Sequence, residues 1–317
     1  MRLEVELQSV QWQFRYPFRI AHGMRTHTDA VVLKLSRGGH SGYGEATLPP
    51  YLPDTQQSTF AFLEQLPYNK CEGAIQPGQW VQLLTANSQG FFPAKAALDM
   101  ALWQLKAAEE HTTIRNLLGI TTPDTAWRSF TISICDRYEM KDRLQFGHEQ
   151  GFDFFKLKLN GTSDRQMLND FRSLSNAPFA VDVNQGWNNL QKAIEFSNEL
   201  KAAGAVLIEQ PFTKTDREWS RRLRDVVGLP VIADEACQQL TDLTEIAGYF
   251  SGVNIKLQKC GGLTQAFEML KVARPLGLKV LIGCMSESHI GCDAAATLSP
   301  WCDWNDLDGP FLITNNP

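Results

Sequence analysis

The feature that most constrains this chain is a rhythm in its second half. After a break at Thr121 and Pro123, short runs of β-branched and aromatic residues recur at intervals of roughly 20 to 30 residues, with helical stretches between them. The runs cover 130–134, 154–159, 179–183, 206–209, 230–234, 253–257 and 280–283, and a weaker eighth lies near 301–307. Strands and helices alternating in this way build a parallel α/β sheet. Seven or eight evenly spaced units favour a closed barrel over an open doubly wound sheet. No glycine-rich dinucleotide fingerprint follows the first run.

The first part of the chain reads differently. Alternating runs at 3–10 and 30–35 predict a strand meander, joined by a mobile loop that contains His22, Gly23, Met24, Arg25 and Thr26. From 93 to 110 the residues Ala94, Ala97, Leu98, Ala101, Leu102 and Leu105 recur at helical spacing and present an alanine-rich, close-packing face. The expected organisation is an α+β domain over 1–120 and an α/β barrel over 121–317. A total of 317 residues, 43% of them apolar, is enough for both cores.

Charge and cysteine content narrow the function. With 30 Lys+Arg against 35 Asp+Glu, the net charge of -5 offers no basic surface to nucleic acid or anionic lipid. No apolar run approaches the roughly 20 residues of a membrane span, and acidic residues occupy the N-terminus where a signal peptide would be apolar. Seven scattered cysteines without a Cys-x-x-Cys pair predict reduced thiols in a cytoplasmic protein. A homo-oligomer stays open.

Strand parity then locates the chemistry. Leucines 157 and 159 face one way, which turns Lys156 and Lys158 the other; by the same alternation Asp182 and Asn184, Glu209, Asp234, and Asn254 with Lys256 share the polar face. In a closed barrel, acids thus end three neighbouring strands, and lysines stand on strands 2 and 6 across the axis. Three convergent carboxylates in a partly dry site need a cation, and an all-oxygen donor set suits a hard one, Mg²⁺. Lysines on opposite sides of a metal-bound substrate could each transfer a proton. Taken singly, a Lys-x-Lys can be a solvated edge and a strand-end Asp a helix cap; the joint order of lysines and acids favours a site.

The motifs Lys156-Leu157-Lys158, Asp182-Val183-Asn184-Gln185-Gly186-Trp187, Ile208-Glu209-Gln210-Pro211, Ala233-Asp234-Glu235 and Asn254-Ile255-Lys256-Leu257 leading to Gly261-Gly262 resemble the enolase superfamily, in its muconate-lactonising-enzyme-like branch. Enzymes of that superfamily pair a Lys or His base with Mg²⁺. The resemblance implies a capping domain over a modified (β/α)7β TIM barrel, Mg²⁺ on Asp182, Glu209 and Asp234, and Lys158 and Lys256 as acid/base catalysts, with Lys156 and the metal stabilising an enediolate. Asp306 and Asp308 resemble the feature by which dipeptide epimerases hold the substrate's α-ammonium, although an Asp-x-Asp-Gly-Pro segment can equally be a turn.

Together these imply an epimerase acting on the C-terminal residue of a dipeptide, with L-Ala-D/L-Glu of murein-peptide recycling as the leading substrate and Arg25 as partner of the glutamate side chain. Other dipeptides, o-succinylbenzoate synthesis and muconate cycloisomerisation are the alternatives within the branch. Only nine residues follow Asp308, which is expected to limit any return of the C-terminus to the cap. Trp187 and the histidines 111, 148 and 289 read as structural or surface residues.

Overall fold

The structure, a computed structural model, describes residues 2–317. Three antiparallel strands open the chain, β1 (Glu4–Ile20), β2 (Gly23–Arg37) and β3 (His40–Leu48), paired in that order. Their alternation places Val31, Leu33 and Leu35 of β2 with Ala46 and Leu48 of β3 on one buried face. The helix Phe92–Glu109 covers that face with Ala94, Ala97, Leu98, Ala101, Leu102 and Leu105. Glycine on β3 permits the contact: a Cβ on Gly44 would overlap the Ala97 carbonyl, and one on Gly42 the Ala101 carbonyl.

Two expectations are corrected here. The segment around Arg25 is no loop, because β1 and β2 run through it as a hairpin that pairs Phe18 with Arg25 and Ile20 with Gly23. Its aromatic residues explain the extension: beyond a register shift between Gln13 and Phe18, the hairpin leaves the cap's own core, and Phe18 packs against the barrel core. The short tail does return to the cap. Its last turn, Gly309–Leu312, lies beside the hairpin, so Ile313 bridges Phe14, Thr314 N donates to Gln13 O, and Asn315 bonds Gln13 and Gln11.

Eight parallel strands close the barrel: β4 (Trp127–Ile132), β5 (Phe154–Lys158), β6 (Phe179–Asp182), β7 (Ala205–Glu209), β8 (Val231–Ala233), β9 (Gly252–Lys256), β10 (Lys279–Gly283) and β11 (Trp304–Asp306), with β11 pairing back to β4. Each coincides with a run expected from the sequence, its ends displaced by at most three residues. Outward residues such as Leu157, Val181, Ile208 and Ile255 pack on the helices. The inward face is layered: Phe154, Ala180, Leu207, Ile232, Leu281 and Trp304 plug the lower barrel. Two residues further along, the same parity brings Lys156, Asp182, Glu209, Asp234 and Asp306 to the C-terminal end, with Gly283 at the matching place on β10, where such barrels carry their sites. Among the described residues, no helix is long and apolar enough to cross a membrane.

Candidate active site

Carboxylate oxygens of Asp182, Glu209 and Asp234, ending or just following β6, β7 and β8, lie within 4.8 Å of one another, and all three residues are buried. Their register is direct, since Lys158 pairs with Asp182 and Asp182 with Glu209. Burial and the Asp182 charge push Glu209 up to about 7. The same burial would raise Asp182 and Asp234, but lysines outweigh it: Lys158 and Lys156 hold Asp182 below the ordinary aspartate value, and Lys256 and Lys259 do so for Asp234. Three buried carboxylates that raise one another's proton affinity, with oxygen as the only donor element, fit a hard divalent cation.

The lysines take distinct places. Lys158 Nζ donates to Asp182 Oδ2 at 2.5 Å, and Lys256 Nζ to Asp234 Oδ2 at 2.7 Å. They stand on β5 and β9, four strands apart in a ring of eight, so they face the trio from opposite sides. Lys156, only 1% exposed, lies 2.7 Å from Glu209 Oε2 and Asp306 Oδ2 and 3.3 Å from Asp182 Oδ2. Against burial, Asp306, Glu209 and Asp182 hold it well above the ordinary lysine value. It is a buried counter-charge beneath the trio.

Above this floor is a cavity of about 400 Å³, bordered by Lys158, Asp234 and Lys256 from the barrel and by Phe18, Arg25 and Tyr51 from the cap. That volume lies within the usual range for small-molecule sites. The Arg25 guanidinium sits 5.4 Å and 5.7 Å from the rings of Phe14 and Phe18, and among the described residues its one side-chain hydrogen bond is to Thr28 Oγ1 at 3.5 Å. Among the described residues no carboxylate pairs with it, and burial lowers its pKa, with Tyr51 opposing. The Tyr51 hydroxyl donates to Met285 Sδ at 3.0 Å, tying the cap segment to the loop after β10.

Asp306 and Asp308 are buried at the end of β11, outside the residues that border the cavity. Asp306 accepts from Lys156 and from Ser129 Oγ at 2.8 Å, and Asp308 Oδ2 accepts from Thr131 N at 2.5 Å. Burial and Asp306 push Asp308 up to about 7. The structure thus groups Lys156 with Asp306 and separates both from Arg25.

Several residues at the site had no role assigned from the sequence, although strand parity put Asn184 and Asn254 on the polar face. Gln210, in the left-handed region at φ 34°, receives Asp234 N and Ala236 N on Oε1 and so holds the β8 end. Asn254 Nδ2 donates to Glu209 Oε1 at 2.8 Å. Lys259, three residues after Lys256, reaches Asp234 Oδ1 at 2.6 Å; the repeated lysine was its only local signal. Asn184, Gln185 and Ser286, all at positive φ, border the cavity where strands give way to loops.

The chain is similar to known proteins over nearly its whole length. Residues 2–119 match the model of the mandelate racemase / muconate lactonizing enzyme N-terminal domain, and 139–304 that of the enolase C-terminal domain-like family. An L-Ala-D/L-Glu epimerase of Bacteroides thetaiotaomicron is 35% identical over 306 residues, covering 96% of this chain and 79% of that protein. One from Escherichia coli is 31% identical over 304 residues, covering 95% and 92%. The crystal structure of a dipeptide epimerase from Enterococcus faecalis, complexed with Mg and L-Leu-L-Tyr, superposes with a TM-score of 0.92 at 25% identity, covering 100% of this chain and 93% of that one. With both family models matched over most of its length, the chain belongs to the enolase superfamily, in its mandelate racemase / muconate lactonizing enzyme group.

Proposed function

We propose that this protein is a Mg²⁺-dependent dipeptide epimerase that inverts the α-carbon of the substrate's C-terminal residue, with L-Ala-D/L-Glu as its substrate. The observation that carries the reaction type is the placement of Lys158 and Lys256 on opposite sides of one carboxylate trio. A stereocentre held above the trio is reached by one amine on each face, which is what inversion by two bases needs. Arg25 carries the substrate: a half-buried guanidinium facing the cavity without a carboxylate of its own suits an acidic side chain. The relatives named L-Ala-D/L-Glu epimerase support the same reading.

Asp182, Glu209 and Asp234 would hold the metal, which when bound supplies a Lewis acid beside the substrate carboxylate and makes the adjacent C–H bond acidic. Lys158 removes the α-proton from one configuration and Lys256 delivers a proton to the opposite face; the reverse reaction exchanges their roles. Lys156 contributes its positive charge from below, its ammonium bonded to Asp306 and ion-paired with Glu209 and Asp182, so it stabilises developing negative charge without moving a proton. Asp306, which ends β11 across the ring from β7, and Asp308 two residues beyond it would receive the α-ammonium by exchanging their present bonds to Lys156 and Thr131 N.

The reaction fits cytoplasmic recycling of murein peptides, and seven free cysteines are in keeping with a reducing compartment. The test is a dipeptide library incubated with Mg²⁺ in D₂O and read by mass spectrometry. One deuterium should enter the C-terminal residue, fastest with L-Ala-L-Glu and L-Ala-D-Glu. Absence of uptake with every dipeptide overturns the reading.

A further inference from the structure

Lys259 occupies the single helical turn Leu257–Cys260 that follows β9. Gly261 and Gly262, at φ 92° and 124°, then reverse the chain, and a Cβ on Gly262 would meet the Asp99 side chain. Lys259 itself lies between the ends of β8 and β9, bonded to backbone of both Asp234 and Asn254, and is 5% exposed. Its ammonium donates to Asp234 Oδ1 at 2.6 Å, Asp234 O at 2.8 Å, Cys237 O at 2.9 Å and Asn254 O at 2.9 Å. Three N–H groups facing four acceptors leave none to offer a substrate. Although its side chain borders the cavity, Lys259 has no spare donor for catalysis.

We propose that Lys259 is a positioning residue that clamps the Asp234 carboxylate to the backbone of β9 and the loop after β8, and thereby sets the protein's affinity for its divalent cation. The clamp fixes one carboxylate oxygen and the main chain of the same residue, so the other oxygen, Oδ2, is the one left free of Lys259. Gln210 restrains the amides of Asp234 and Ala236 from the other side. Lys256 holds Oδ2 but must be free to move protons, so it cannot also serve as a fixed support. Groups that orient a metal ligand from behind are typically worth about 10–100-fold in metal affinity.

The inference rests on Asp234 being a metal ligand, and the test separates the two. Binding of Mg²⁺ alone is measured by calorimetry, and of Mn²⁺ by electron paramagnetic resonance, for the native chain, Lys259→Met, Lys259→Gln and Asp234→Asn. The expected result is a Kd at least tenfold weaker in Lys259→Met and Lys259→Gln, and loss of binding in Asp234→Asn. Circular dichroism establishes that each variant scored is folded; should the methionine variant fail to fold, the glutamine variant, which retains a donor, carries the measurement. A Kd within twofold of native in the folded Lys259 variants, with binding lost in Asp234→Asn, overturns the clamp. Undiminished binding in Asp234→Asn overturns the ligand assignment itself.

Discussion

Replacing Lys256 by methionine tests the two-sided geometry directly. The substitution keeps much of the stem and removes only the amine. It leaves the metal site neutralised, because Asp234 keeps its 2.6 Å bond to Lys259. No other amine can take over: Lys156 is held among three carboxylates and Lys259 among four acceptors, while Lys158 stands across the ring. Losing one positioned acid/base should therefore cost the full contribution of such a group, about 10²–10⁴ in rate or about 3–5 kcal/mol of barrier. The assay is epimerisation of L-Ala-L-Glu and L-Ala-D-Glu, with proton exchange in D₂O followed separately for each isomer. Lys256→Met should lose epimerisation in both directions yet still exchange the α-proton of the isomer whose hydrogen faces Lys158, and Lys158→Met should exchange the other. A folded Lys256→Met enzyme that epimerises both isomers within tenfold of the native rate would refute the reasoning.

Other consequences are equally open to measurement. Arg25→Met should lower kcat/KM for dipeptides ending in glutamate by about 10²-fold, the scale of a lost charge-assisted pair, while dipeptides with an apolar second residue change little; equal losses for both would remove Arg25 from specificity. Chelation should abolish activity and added Mg²⁺ restore it, with Mg²⁺ also raising the Tm; activity unaffected by chelator would contradict the metal assignment. Gly44→Ala should destabilise the fold by about 3 kcal/mol or more in denaturant unfolding, since its Cβ would meet helix backbone that cannot yield as a side chain does. Asp99 links pH to stability: burial pushes it up to about 6, against the opposing Thr264 bonds. The folded chain then holds this proton more tightly than the unfolded one, so its contribution favours folding below about pH 4 and is lost as pH rises through 6, about 3 kcal/mol at most. Urea unfolding of Asp99→Asn should lack that component between pH 4 and 7.

How much of this was legible in the sequence follows from how far apart the interacting groups lie along the chain. Period-two alternation is local, so Leu157, Val181, Ile208 and Ile255 could be assigned outward, and that assignment turned Lys158, Asp182, Glu209 and Lys256 inward before any coordinates. Strand ends were less legible because closure displaces them: β11 has three residues, and its place in the ring is fixed by pairing with β10 and β4. The hairpin was misread for a related reason. Around Phe14, Tyr16 and Phe18 the alternation continues, but the surface that buries Phe18 belongs to the barrel, more than a hundred residues later in the chain.

The joint between cap and barrel had no local signature at all. Glu45, fully buried, accepts from Trp12 Nε1 at 2.8 Å, Thr47 Oγ1 at 2.7 Å and Ser288 N at 3.1 Å, and Gln258 spans from Glu45 O to Glu287. Read along the chain, a glutamate on β3 alternating with apolar residues looks like a solvated position. It is tolerable inside only because donors from β1 and from the turn after β10 converge on it, and an unpaired carboxylate there would be far costlier than the bonds it makes. The joint also adjoins the candidate site in sequence, since Gln258 lies two residues beyond Lys256 and Met285, which receives Tyr51, two residues before Glu287. The same buried polar network that fastens the cap therefore fixes the roof of the cavity relative to one of its two amines.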